Sequence, residues 1–129
     1  MANRELKFRA WDGRRFIYFS DITIGLKGSK KTVPYIFFAK DNFNGEVYLG
    51  EHEVTEFTGL KDENRKEVYE GDIVDNDVAR WEVIFNLGCF CGRQIGVKPS
   101  SSGVHIALRG IRNIRIVGNK FENPELVIF

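Results

Sequence analysis

The sequence has 129 residues, of which 43% are hydrophobic and 29% are charged, with a formal net charge of +1; this composition is typical of a folded globular protein and excludes a disordered one. Its apolar runs, such as Tyr35–Ala39, are much shorter than a membrane span, and residues 1–7 lack the apolar stretch of a secretion signal. Only two cysteines are present, which argues against a disulfide framework, so we expect a cytoplasmic protein with no membrane association.

The chain opens with an alternation of apolar and polar residues. The apolar positions of the first segment are Leu6, Phe8 and Ala10. Asp12-Gly13 then supplies a type I′-like turn signal, and the alternation resumes at Phe16 and Tyr18. Because residues two apart lie on the same face of a strand, the pattern predicts a β-hairpin.

A short aromatic run, Tyr35–Ala39, is typical of a buried strand, and Asn44-Gly45 is expected to turn it into Val47–Leu49. Between the hairpin and this run lies a lysine-rich segment, Gly25–Lys31, with the spacing of a nucleic-acid-binding G-x-x-G loop. That loop must join two helices, and Pro34 prevents one of them, so we interpret the segment as a solvated loop.

The second half of the chain consists of short extended segments separated by turn signals. The predicted strands are Val54–Leu60, Val68–Val74, Trp81–Phe85, Cys89–Val97, Val104–Leu108 and Ile111–Val117. Asp72 is placed to accept backbone N–H bonds in a turn, with Tyr69, Ile73 and Val74 in the core. Only the tail favours a helix, a single turn that Asn123 caps and Pro124 begins.

Charge is distributed in blocks. Residues 51–77, Glu51 to Asp77, contain ten acidic and three basic side chains, whereas Arg80 to Lys120 contains seven basic side chains and one acidic. Such asymmetry is consistent with a nucleic-acid face, with a head-to-tail interface between copies, or with neighbouring strands that neutralise each other. The third alternative explains the near-zero net charge without any partner.

Two groups of residues are candidates for a site. Cys89 and Cys91 could form a Cys2His2 zinc site with His52 and His105, but the spacings match no familiar pattern, so we predict two free, buried thiols beside Gly88 and Gly92, with no metal.

The second group is the strongest basic cluster, which is a candidate nucleic-acid contact: Arg109, Arg112, Arg115 and Lys120. Solvated or acid-paired arginines are the alternative. No Ser-His-Asp or Cys-His arrangement can be argued, so we predict no catalytic residues and no cofactor.

The stretches Glu56–Val74 and Val117–Leu126, with the opening Lys7–Asp12, resemble the YopX-type proteins of bacteriophages and prophages. The resemblance implies an SH3-like β-barrel from about Thr58 to Val117 with an N-terminal β extension, and it implies no reaction. The family usually has Gly where this chain has Arg65. We expect Asn64, rather than Arg65, to adopt the left-handed backbone conformation there.

These observations predict a mainly β protein: an SH3-like small barrel, residues 54–129, preceded by an N-terminal β-hairpin extension, residues 1–53, and ended by one short helical turn. We expect a non-enzymatic phage or prophage accessory protein in the bacterial cytoplasm, acting by protein binding or self-assembly as a homo-oligomer. The alternative is a nucleic-acid-binding module that uses Arg80–Lys120, and a metal-dependent enzyme ranks below it.

Overall fold

A computed structural model describes residues 5–19, 22–25, 36–41, 45–48, 53–96 and 105–127. Regular structure in these residues is almost entirely β-strand, which confirms the predicted mainly β class. No helix in this part of the chain is long and apolar enough to span a membrane. Internal contacts divide the chain into two compact units, Met1–Glu56 and Phe57–Phe129.

The first unit begins with the predicted hairpin, formed by β1 (Phe8–Trp11) and β2 (Phe16–Phe19), in which Phe8 pairs with Phe19 and Trp11 with Phe16. Its turn is a four-residue loop rather than the tight turn that the sequence suggested. The Asp12 carboxylate accepts the N–H groups of Arg14 and Arg15, both at 2.8 Å, and Gly13 takes a φ of 99°. The side-chain bonds of Asp12 therefore stabilise a wider turn.

The two faces of this hairpin differ in how they are packed. Ala10, Ile17 and Phe19 are buried and form one core cluster. On the other face the guanidinium carbon of Arg9 lies 4.1 Å from the centre of the Phe16 ring, and Arg9 itself is buried. The side chains of β2 that face the core are thus Ile17 and Phe19, whereas Phe16 and Tyr18 lie on the opposite face.

Four further strands belong wholly or partly to the first unit: β3 (Ile22–Gly25), β4 (Ile36–Asp41), β5 (Gly45–Tyr48) and the first half of β6 (Glu53–Lys61). β4 pairs antiparallel with β3 and β5, and β1 pairs antiparallel with Glu53–Glu56 of β6. The hairpin predicted around Asn44-Gly45 is present as β4 and β5. The lysine-rich segment Lys27–Lys31 lies outside the described residues.

The second unit contains the remainder of β6, then β7 (Glu67–Tyr69), β8 (Asp72–Asp75), β9 (Arg80–Asn86), β10 (Cys89–Gln94), β11 (His105–Ala107) and β12 (Arg115–Asn119). β6 pairs with β7, and the other five form an antiparallel sheet in the order β11-β10-β9-β8-β12. Within the described residues the two outer strands of this sheet do not pair with each other, so it is an open sheet there.

One face of the five-stranded sheet carries the core of the second unit. The buried members are Val68, Val74, Trp81, Val83, Leu108, Ile111 and Ile114. Gly92 lies beneath two of them, because a Cβ added there would come within 2.6 Å of Ile111 and 3.0 Å of Trp81. Trp81 and Val83, which are two residues apart on β9, both lie on this core face.

Two 3₁₀ turns complete the unit: η1 (Leu108–Gly110) and η2 (Pro124–Val127). The second is the predicted terminal helical turn, and the Asn123 carbonyl accepts the N–H of Leu126 at 3.0 Å. The first was predicted to be the end of a strand and the turn after it. Leu108 is buried there, which anchors η1 to the core.

Candidate functional site

The turn between β6 and β7 is organised by one buried carboxylate, that of Asp62. Its Oδ1 accepts the N–H groups of Asn64 and Lys66, both at 2.8 Å, and its Oδ2 accepts the N–H of Ile116 in β12 at 3.1 Å. The N–H of Glu63 also donates to the carbonyl of Ile114 at 2.9 Å. Asp62 therefore shapes its own turn and fastens it to a strand far along the chain.

Arg65 adopts the left-handed conformation in this turn, with a φ of 65°, so the expectation that Asn64 would take it was wrong. The Asp62 carbonyl accepts the N–H of Arg65 at 2.9 Å, and the N–H of Asp62 donates to the Lys66 carbonyl. A three-residue hairpin loop of this form is a type I turn followed by a residue in the left-handed region, here Arg65, where Gly is usual. The hydrogen bonds of Asp62 thus decide the conformation against the local preference of Asn64.

The rest of the segment Glu56–Val74 and the segment Val117–Leu126 are also held by side-chain bonds to the backbone. Asp72 is buried and its Oδ2 accepts the N–H of Tyr69 at 2.8 Å, as predicted. Asn119 accepts the N–H groups of Phe121 and Glu122, and Asn123 accepts the N–H of Asn119. These polar residues therefore have architectural roles.

Acidic and basic side chains of the two charge blocks pair within the second unit. Arg115 lies 3.3 Å from Asp77 and 3.7 Å from Asp75, and Arg80 lies 3.5 Å from Asp75. Neutralisation between neighbouring strands, one of the three explanations for the blocks, accounts for these residues.

The four residues of the predicted nucleic-acid cluster lie at four different places in the second unit. Arg109 is in η1 and Arg112 in the loop before β12; both are exposed. Arg115 begins β12 and is engaged with acidic residues, whereas Lys120 follows the end of that strand and its Nζ lies 5.1 Å from the centre of the Phe121 ring. A five-residue separation along a strand is about 16 Å, so Arg115 and Lys120 lie at opposite ends of β12.

A pocket of about 490 Å³ lies between the Asp62 turn and η1. Its lining includes the apolar side chains of Leu60, Leu108, Ile111 and Ile114, with Lys61 and Arg109 among its polar residues. Its volume falls in the range of small-molecule sites. Because Asp62 and Glu63 also line it, the pocket combines an apolar surface with side chains of both charges.

The most unusual surface is the tip of the β9–β10 hairpin, where Leu87 has a φ of 50° and is 96% exposed. Gly88 follows with a φ of 82°, which makes the turn type I′, a turn that favours Asn, Asp or Gly at the position of Leu87. Phe85 is 53% exposed and its ring packs edge-to-face on Phe90 at 5.1 Å. Phe85 lies in β9, within the predicted strand Trp81–Phe85, at a point where the hairpin extends beyond the core.

Cys89 and Cys91 lie at the base of this tip, with their Sγ atoms 3.3 Å apart. Both are free cysteines; Cys91 is buried, but Cys89 is exposed, which corrects the prediction of two buried thiols. His105 lies exposed on β11, and His52 is outside the described residues. Among the described residues no group of three or more His, Cys, Asp or Glu side chains is placed to hold a metal ion.

The sequence analysis did not single out Leu87-Gly88, which lies between the predicted strands Trp81–Phe85 and Cys89–Val97. The available signal was the residue type. In a two-residue hairpin loop the residue before Gly must adopt a left-handed conformation, which a large apolar residue disfavours. Its side chain also lies beyond the core.

Comparison with known proteins identifies a family and a related solved structure. The family described as YopX protein matches residues 7–127. The crystal structure of protein EF1440 from Enterococcus faecalis is similar, with 24% sequence identity and a TM-score of 0.52 over 95% of this chain and 97% of that chain. No curated protein matches the sequence. At this identity the structural likeness concerns the fold.

Proposed function

Because the chain belongs to the YopX protein family, we propose that it is a non-enzymatic binding protein of a phage or prophage, and that it engages a protein partner through the tip of the β9–β10 hairpin. The observation that carries this proposal is Leu87, which is 96% exposed and has a φ of 50°. A left-handed conformation costs a non-glycine residue about 1–2 kcal/mol.

Leu87 gains nothing from burial in exchange for that cost, since almost its whole surface faces solvent. Strained residues concentrate at functional sites, where the surrounding structure holds them in place. Here the two strands of the hairpin hold the tip, with Asn86 paired to Cys89 and Phe85 to Phe90. The apolar side chain is therefore presented to solvent on a rigid support.

The chemistry of the tip indicates the kind of partner. Leu87 projects beyond Phe85, which offers a half-exposed aromatic ring, so the complementary surface is an apolar cleft on a protein. Burial of one leucine side chain contributes about 1.5–3 kcal/mol. That is enough for Leu87 to act as the anchor of a small interface.

A second copy of the chain is one such partner, as the predicted homo-oligomer requires. The charge blocks argue for it less strongly than the sequence suggested, because Arg80 and Arg115 pair with acidic residues of their own chain. The exposed apolar tip of the β9–β10 hairpin is therefore the surface that we propose for self-association.

Nucleic-acid binding is the second candidate function. Its support is the exposure of Arg109 and Arg112, which form no ion pair with any acidic side chain in the described residues. Binding through them should weaken steeply as salt rises, because counterions released from phosphates must be recaptured.

The SH3-like barrel and the cytoplasmic location remain part of the proposal. The barrel rests on the resemblance of Glu56–Val74 and on the five-stranded antiparallel sheet of the second unit. A crystal structure of the chain tests whether the sheet closes through residues that are not described here.

The binding proposal is tested by affinity capture from cells of a lysogenic host, using the full chain and two variants. Leu87→Asn removes the apolar anchor, whereas Val78→Asn changes another residue that is 86% exposed, at the β8–β9 turn. We expect one protein to be retained by the wild type and by Val78→Asn but lost with Leu87→Asn. Equal retention by both variants contradicts the proposal. Sedimentation of the purified chain shows whether the partner is a second copy.

A further inference from the structure

The two cysteines of β10 form a dithiol that the proposed binding function does not use. They occupy alternate positions of one strand, so their side chains project from the same face, and their sulfur atoms are 3.3 Å apart. Cys89 is exposed, whereas Cys91 is 6% exposed. The Cys89 side chain is thus accessible to solvent, whereas the Cys91 side chain is buried next to it.

Burial raises the pKa of the Cys91 thiol, and the hydrogen bond and the charge of Cys89 act in the same direction. Cys91 therefore remains a protonated thiol near neutral pH. Since the thiolate is the reactive form of cysteine and a solvent-borne reagent meets Cys89 first, the two sulfurs are suited to different steps of one reaction.

We infer that Cys89 and Cys91 are a peroxide-reactive redox pair, in which Cys89 attacks and Cys91 resolves. The Cys89 thiolate attacks one oxygen of hydrogen peroxide; an S–O bond forms, the O–O bond breaks, and hydroxide leaves. The product is a sulfenic acid on Cys89. The Cys91 sulfur then displaces the hydroxyl group from Cys89, forming the S–S bond, and the hydroxyl leaves as water with the thiol proton. Two thiols are oxidised to a disulfide, and one peroxide is reduced to two waters.

Strand geometry makes this disulfide easy to reduce again. Residues two apart in an extended strand have Cα atoms about 6.6 Å apart, close to the upper limit of about 6.8 Å for a disulfide. Such a bond is strained, and strained disulfides are the labile ones. Closing it draws β10 together at the rungs where Cys89 pairs with Asn86 and Cys91 with Ile84. Oxidation should therefore loosen the hairpin next to its tip.

This inference concerns the sulfur chemistry and does not depend on a protein partner. Its test is a titration of the reduced full chain with hydrogen peroxide, followed by intact-mass measurement and by trapping of sulfenic acid with dimedone. The wild type should lose a pair of hydrogen atoms in mass and regain them with reduced glutathione. Its amide hydrogen exchange should increase in β9 and β10 while oxidised.

The two single variants separate the roles. Cys91→Ser should accumulate dimedone adduct on Cys89, because the resolving thiol is missing, whereas Cys89→Ser should react at least tenfold more slowly than the wild type. Cys91→Ala repeats the first measurement without a buried hydroxyl. Overoxidation of wild-type Cys89 without a disulfide, a disulfide between chains, or equal reaction rates for both single variants overturns the inference.

Discussion

Two hairpin turns of the second unit hold a non-glycine residue in the left-handed conformation, and the surroundings of that residue differ between them. In the β6–β7 turn, Arg65 has a φ of 65°, and the carboxylate of Asp62 accepts three backbone N–H groups around it. In the β9–β10 turn, Leu87 has a φ of 50°, and the described residues provide no comparable carboxylate.

The same backbone cost therefore has different explanations in the two turns. Around Arg65 the strain is a by-product of a hydrogen-bonded junction between a turn and β12, and the stability gained there exceeds the cost. At Leu87 the strain positions an apolar side chain in solvent. An unfavourable torsion becomes informative about function only when no nearby interaction explains it.

The largest change in stability is expected when the carboxylate of the β6–β7 turn is removed. We expect Asp62→Ala to lower the free energy of unfolding by at least about 3 kcal/mol. A hydrogen bond to a charged group contributes about 1.5–3 kcal/mol, and three are lost together, although the contributions of bonds that share one group do not add in full. Urea unfolding measures the change. Asp77→Ala is the control, since its carboxylate is almost fully exposed and should barely matter. An unchanged midpoint for Asp62→Ala would show that the turn is held by other contacts.

A smaller effect of opposite sign is expected at Arg65. Arg65→Gly should raise the free energy of unfolding by about 1 kcal/mol, because relief of the left-handed strain exceeds the entropy that glycine adds to the unfolded chain. Asn64→Gly should bring no gain, since the φ of Asn64 is not positive. If both variants have the same stability in thermal unfolding, Arg65 does not adopt a strained left-handed conformation in solution.

The smallest change is expected at the hairpin tip. Leu87→Asn places a preferred residue in the type I′ turn and should raise the free energy of unfolding by about 0.5 kcal/mol. Thermal unfolding at low protein concentration measures it. A loss of stability that grows with protein concentration would mean that Leu87 is already buried against a second copy, which would remove the contrast between the two turns.

Much of this fold follows from local patterns in the sequence. The alternation around Phe8, the pairing of the strands on either side of Asn44-Gly45 and the role of Asp72 were all predicted, because each depends on residues within a few positions of one another. The conformation of Arg65 was not predicted, since it depends on Asp62 and on the distant Ile116. The exposure of Cys89 was not predicted for a similar reason. Strand alternation shows that Cys89 and Cys91 share a face, but it does not show where along the strand the core beneath that face ends.

The bond between Asp62 and Ile116 also has a consequence for how the chain matures. It joins residues 54 positions apart, and β8 has β12 as one of its two neighbours in the sheet. A ribosome adds about 5–20 residues per second, so several seconds separate synthesis of the turn from synthesis of its strand. During that interval one edge of β8 is an unpaired template for other strands. The second unit therefore depends on β12 in two ways. Pairing with β12 covers the exposed edge of β8 against aggregation soon after synthesis, and it stabilises the folded unit.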